Sequence, residues 1–216
     1  MKGFRLGVVT VSVGLLVAAC SNQGADSIKD VPDEGLKLQD KIVSQMNSIN
    51  HAESGLQKAL DASFKDQASA KALTDEKGPV FDWIQKQSDR LDTLNDQKKA
   101  LKKEIDQLSK YQDDDNSKLE GKAKAAHETL NKLYQELDGY TSTYRDSLDK
   151  AKETLKQSGK KDAKINDLEK GLDDYNASKQ ELNKHVESMN RQYQDATQSL
   201  ESLKSAIKQE KGGASA

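Results

Sequence analysis

The sequence is poor in most of what a catalytic or disulfide-braced domain needs: one cysteine, two prolines, one tryptophan and three histidines in 216 residues, with aromatics at 5 %. A lone cysteine closes no intramolecular disulfide. Charge of one sign is missing too, since 34 Lys and Arg are interspersed with 36 Asp and Glu for a formal net charge of −2. Without a basic domain or stripe, nucleic acid is not an expected partner. Apolar residues are only 34 % of the chain, which argues against a large globular core around an enzyme-sized pocket. The longest apolar run, residues 6–19, is shorter than the roughly 20 residues that a membrane-spanning helix needs.

What is there begins at the N-terminus. Lys2 and Arg5 form a short basic head, residues 6–17 are mostly apolar, and Ala18 and Ala19 lead into Cys20. This is the layout of a secretory signal peptide over residues 1–19. The stretch LVAAC at 16–20 resembles the bacterial lipobox, which implies that the Cys20 thiol takes a diacylglyceryl group, that cleavage falls between Ala19 and Cys20, and that the mature chain starts there. The alternative is an ordinary signal peptide that leaves a free thiol. Two acyl chains hold a protein stably where one is marginal, at about 0.8 kcal/mol per buried methylene.

Beyond the signal, the apolar residues are placed with too much order for a disordered chain. Steps of three and four alternate through Ile165, Leu168, Leu172, Tyr175, Lys179, Leu182, Val186, Met189, Tyr193, Ala196, Leu200, Leu203 and Ile207. Only Lys179 interrupts this heptad seam, a narrow stripe that another helix must cover. Leu119, Ala123, Ala126, Leu130, Leu133, Leu137, Tyr140, Tyr144, Leu148, Ala151 and Leu155 repeat the pattern. Between the two seams lies QSGKK at 157–161, where Gly159 suits a left-handed helix terminus. So short a connection favours an antiparallel hairpin, with arms of roughly 60 to 70 Å.

Upstream, Leu91, Leu94, Leu101, Ile105 and Leu108 keep the same period, with Lys98 at the skipped position. The DDDN at 113–116 favours a break, although the frame runs through it unshifted and one helix over 80–157 is the alternative. Gly78-Pro79 is a stop. Leu38, Ile42, Met46, Ile49, Leu56, Leu60 and Phe64 mark a looser first helix. The expected fold is therefore all-α, an elongated antiparallel helical bundle or coiled-coil hairpin over 34–210, with helices at about 34–75, 80–110, 117–157 and 162–210. Residues 20–33, with Pro32 and no period, read as the lipidated cysteine and a flexible tether, and 211–216 as a disordered tail.

The second half also resembles a known family. LNKLYQELDGYTSTYRDSLDKAKETL at 130–155 and KINDLEKGLDDYNASKQELNKHVESMNRQYQDA at 164–196, with Tyr175-Asn176, Asn183, Asn190 and Tyr193, are similar to the Tyr-rich and last helices of the cell-wall-binding lipoproteins of Gram-positive bacteria (YkyA-like). The resemblance implies an all-helical, lipid-anchored protein on the outer face of the cytoplasmic membrane, facing the wall. It carries over no residue-level binding site.

Catalytic and metal patterns are thin. His51, His127 and His185 are far apart, and His127-Glu128 is followed by Asn131 where a zinc-protease motif needs its second histidine. Glu181 and His185 share a helix face but make only a surface pair. Carboxylate pairs at Asp75-Glu76, Asp113 to Asp115 and Asp173-Asp174 lie on solvated faces, whereas glycosidic chemistry needs two carboxyls flanking a cleft. The acidic run also lacks the ligand spacing of a calcium loop. No cofactor, metal or catalytic residue is expected. Tyr140, Tyr144, Tyr175 and Tyr193 read as seam packing, leaving Tyr111, Tyr134 and Trp83 as the positions for an exposed sugar platform, with Trp83 better suited to plugging the bundle end. The function expected is a non-catalytic, wall-associated binding or scaffold role, with partners in the membrane through the lipid and in peptidoglycan or another wall polymer. The alternative is a coiled-coil adaptor or regulator of an envelope protein such as a wall hydrolase.

Overall fold

The computed structural model describes residues 23–65, 69–111 and 117–213. Among these the chain forms helices and no strand: α1 (Gln23–Ser27), α2 (Val31–Glu53), α3 (Leu56–Ser63), α4 (Ser69–Thr74), α5 (Pro79–Lys110), α6 (Ser117–Ser158) and α7 (Ile165–Gly213). The four long ones make an up-down-up-down bundle. Cross-helix bonds fix the directions. Gln45 Nε2 donates to the Arg90 carbonyl at 2.8 Å between α2 and α5, and Lys98–Asp138 and Arg145–Asp92 run in opposite order along α5 and α6. Ser147–Ser178 and Thr129–Ser199 do the same for α6 and α7, and Thr197 Oγ1 closes α7 onto Gln39 of α2 at 2.8 Å. At ~1.5 Å per residue, the 42 residues of α6 and 49 of α7 reach about 63 and 74 Å. The fold is thus the elongated all-α bundle that the heptads imply.

The core follows the seams. Leu91, Leu94 and Leu101 of α5, Leu130, Leu133, Leu137 and Leu148 of α6, and Ala196, Leu200 and Leu203 of α7 are fully buried. A fully buried leucine contributes roughly 1.5–3 kcal/mol relative to an exposed one. The α7 seam is not covered evenly: Ile165 is 70 % exposed, and Leu168, Leu172 and Tyr193 are only half-buried. Ile165 begins the helix, where covering neighbours run out.

The N-terminal region departs from expectation. The helix expected over 34–75 is three helices. The Ala52 carbonyl, which residue 56 would use in a continued helix, accepts instead from the Gly55 N–H at 3.1 Å and from Trp83 Nε1 at 2.8 Å, and α2 stops at Glu53. At the end of α3, the Ser63 hydroxyl accepts from the Val80 N–H at 3.0 Å, satisfying a free donor in the first turn of α5. The tether expected over 20–33 is corrected for its described part: α1 and the start of α2 pack onto the bundle, with Ala25, Ile28 and Val31 at most 2 % exposed. Pro32 lies in the first turn of α2, where a missing N–H costs no hydrogen bond. Residues 20–22 lie outside the described residues.

The single-helix alternative over 80–157 does not form. α5 ends at Lys110, Tyr111 is extended (ψ 121°), and α6 returns antiparallel from Ser117; residues 112–116 lie outside the described residues. The expected tail at 211–216 is helical through Gly213, because extending a packed helix needs no new nucleus. Gly159 has no left-handed backbone. Its reason is close approach: a Cβ there would lie 2.5 Å from the Ala70 carbonyl of α4. Glu76 takes the left-handed position instead, at φ 56°, and its carboxylate is 2.7 Å from both Lys152 and Lys156 of α6.

Candidate functional site

Four hollows lie along the described bundle; those beside Thr129 and Ser199 (about 330 Å³) and beside Gln45 and Arg90 (about 370 Å³) are open surface depressions, which leaves two. The larger, about 550 Å³, sits between the end of α6 and the start of α7 and is lined by solvent-facing side chains such as Lys150, Asp162, Lys164 and Asp167, none of them buried. It is a surface depression. The other, about 290 Å³, is a groove between α2 and α7 over a floor supplied by α6. Its floor is built: Ile49, Tyr140, Tyr144 and Leu182 are buried, and Met46 and Val186 half-buried.

Antiparallel register sets the walls. Lys179 of α7 meets Glu53 of α2 at 2.5 Å, and fourteen residues on, Tyr193 Oη donates to Asp40 Oδ1 at 3.1 Å. These two bonds bridge α2 and α7 about 21 Å apart along the helix. Between them the same register sets Asn50 opposite Asn183 and Val43 opposite Asn190, with Asn47 on the α2 side. All four asparagines and Val43 are exposed. Among the described residues, none of the four carboxamides has a hydrogen-bond partner in the protein.

One end of the groove is a polar clasp contributed by all four long helices. Glu53, with 16 % of its side chain exposed, accepts from Tyr144 Oη, from Tyr175 Oη at 3.1 Å and from Gln87 Nε2 at 3.5 Å, besides pairing with Lys179. The Lys179 ammonium also lies 5.3 Å from the centre of the Tyr175 ring. Burial pushes the Tyr140, Tyr144 and Tyr175 hydroxyls well above the usual phenol range, and the Glu53 charge reinforces the shift. The three phenols therefore stay protonated, and those of Tyr144 and Tyr175 donate to Glu53. The Glu53 carboxylate is thereby held by donors from α5, α6 and α7, so the groove ends in a fixed, internally neutralised charge.

The site candidates named from sequence fall elsewhere. Cys20 and Ala19 lie outside the described residues, as do Asp113 to Asp115. Trp83 (8 % exposed) and Tyr111 (7 %) are buried and Tyr134 is half-buried, so none is an exposed ring platform. His185 does not pair with Glu181; its Nδ1 lies 3.0 Å from Glu136 Oε2 across the α6–α7 seam, and that bond holds the Glu136 carboxyl below its ordinary range. Among the described residues, no three His, Cys, Asp or Glu side chains group as metal ligands, and no helix is long and apolar enough to cross a membrane. Sequence reasoning missed Glu53, Asn47 and Asn50. The available signals were Lys179 in the seam and the seven-residue spacing of Asn176, Asn183 and Asn190.

Fold and site together define an elongated four-helix bundle with a lateral groove whose rim is amide and whose charge is cancelled. The chain belongs to the YkyA family, described as “Putative cell-wall binding lipoprotein”, whose model matches residues 24–210. Among curated proteins and among solved structures there is no match. The family description is of a cell-surface-associated lipoprotein with a binding role.

Proposed function

We propose that this chain is a non-catalytic, lipid-anchored protein that binds wall material from the outer face of the cytoplasmic membrane. The lipid is carried on Cys20, and the α2–α7 groove is the contact surface. The single observation behind the groove assignment is its construction: a buried aromatic and aliphatic floor under four unpartnered carboxamides. Such a mostly apolar concavity with a few convergent polar groups is the usual form of a ligand site.

Two measurements test this reading. Fatty-acid labelling of cells should mark the parent and leave Cys20→Ala unlabelled; equal incorporation removes the anchor assignment. Sedimentation of the full chain with purified peptidoglycan should be lost in Val43→Arg, which pushes bulk and charge into the groove from an exposed position. A parent-like Val43→Arg removes the groove from the reading.

A second reading, an adaptor for another envelope protein, is favoured by the far end of the hairpin, where Ile165 is 70 % exposed. In that case Ile165→Asp, and not Val43→Arg, abolishes capture of the partner.

A further inference from the structure

The groove's chemistry narrows the class of ligand. Among the described residues, Glu53 and Lys179 are its only charged lining residues, and they neutralise each other. A polyanion would need free cations, and the one ammonium present is already engaged by a carboxylate and a tyrosine ring. A carboxylate-bearing peptide meets the same difficulty. What the rim offers instead is four carboxamides, each with two N–H donors and a carbonyl acceptor. Their complement is a neutral ligand with paired donors and acceptors.

Geometry adds a length. Asn183 and Asn190 are seven residues apart on α7, about 10.5 Å along the axis. That is about one repeat of a β-1,4-linked disaccharide. The two bridging bonds, Lys179–Glu53 and Tyr193–Asp40, then bracket about two such repeats. The apolar floor under the amides suits a sugar's C–H face or an acetyl methyl, and the walls suit hydroxyl and acetamido groups.

From this we propose that the groove binds an uncharged, N-acetylated hexosamine glycan, with Asn47, Asn50, Asn183 and Asn190 hydrogen-bonding its acetamido and hydroxyl groups. The proposal rests on the groove reading above and specifies its ligand. Binding is electrically neutral, so it is insensitive to salt in a way that capture of an anionic polymer is not.

The experiment uses the full chain solubilised in detergent, with three probes: the β-1,4-linked tetramer of N-acetylglucosamine, its fully de-N-acetylated counterpart and polyglycerol phosphate. Titration calorimetry measures each directly, and each is also added as a competitor in sedimentation with peptidoglycan. The acetylated tetramer is expected to bind and to displace the chain, and the other two to do neither at the same concentration. Asn183→Leu combined with Asn190→Leu should weaken tetramer binding by about tenfold or more, because a sugar group that bonded to the amide then loses its partner. The melting temperature should not change, since both positions are exposed. Equal binding of the de-N-acetylated tetramer, stronger binding of polyglycerol phosphate, no binding of the acetylated tetramer, or a double variant that binds it like the parent would each overturn the proposal. If Val43→Arg abolishes sedimentation while the acetylated tetramer neither binds nor competes, the groove reading stands and the ligand class fails. If the chain does not sediment at all, wall binding fails, and calorimetry still decides the ligand class.

Discussion

Lys98, at a heptad position of α5 and 9 % exposed, places its ammonium 2.6 Å from Asp138 Oδ1 on α6 and donates to Thr141 Oγ1 at 3.1 Å. The two partners are not equivalent. Asp138 is largely exposed, so losing Lys98 leaves it solvated, whereas losing Asp138 leaves an ammonium in an apolar seam with one hydroxyl. Asp138→Ala is expected to destabilise by about 1–3 kcal/mol. Lys98→Met should lie within about 1 kcal/mol of the parent or above it, since an apolar side chain of similar length fills the same space. Urea unfolding of both variants checks the order. The reverse order would mean that water, not Asp138, satisfies the ammonium.

A second expectation separates core from rim among the tyrosines. Tyr144 is 1 % exposed, while Tyr193, equally a seam residue by period, is half-buried with its hydroxyl on Asp40. Tyr144→Ala should cost roughly 3–5 kcal/mol, and Tyr193→Ala clearly less. Equal losses in thermal melts would place Tyr193 back in the core.

Alkaline pH should reveal the clasp. Tyr140, Tyr144 and Tyr175 have folded pKa values raised above the ~10 of an unfolded tyrosine, by burial first and then by Glu53. Their contribution is full below pH ~10. It falls as pH rises further, because the unfolded state ionises first, by up to about 1.4 kcal/mol per pH unit for each tyrosine. Ultraviolet titration should show these three of the six tyrosines ionising only with unfolding. All six titrating together in the folded state would refute the clasp.

At the opposite extreme of pH, Glu76 is decisive for α4. Lys152 and Lys156 lower its carboxyl to about 2, against ~4.3 for an unperturbed glutamate. The stabilisation is fully present above pH ~4.3 and is lost as pH falls towards 2. Because the pairs are surface pairs, the effect should be local. Amide exchange in α4 should accelerate across that window in the parent, and in Glu76→Gln should already be fast at neutral pH. Unchanged protection in Glu76→Gln would show that Leu73, buried at 2 %, holds α4 alone.

The heptads made the bundle legible from Tyr175 onward on α7, because Leu182, Met189, Ala196, Leu200, Leu203 and Ile207 are buried where the period puts them. Period gives a face but not the number of neighbours over it, so Ile165 and Tyr193 were indistinguishable from Leu200 in sequence. Lys98 and Lys179 looked like interruptions, yet both are sites where charge crosses between helices. Ile28 and Val31 are too few to show a period, and Pro32 read as a breaker although it serves as a helix start. The groove was the least legible part. Glu53 acquires its role only where α2, α5, α6 and α7 converge, a conjunction that no single helix encodes.

The docking of Ala25, Ile28 and Val31 turns the bundle into a ruler. Ala25 is five residue steps from Cys20, and even fully extended these cover no more than about 18 Å. With the lipid on Cys20, the base of the bundle cannot drift further than that from the bilayer. The groove's midpoint at Val186 lies eighteen residues before Lys204, which pairs with Asp33 at the base, and so lies about 27 Å along the bundle from that end. On the proposed anchor and groove, the distance from attachment point to contact surface is therefore set mainly by the length of packed helix. On that reading, lengthening the segment before Ala25 with flexible residues would let the groove meet material farther from the bilayer.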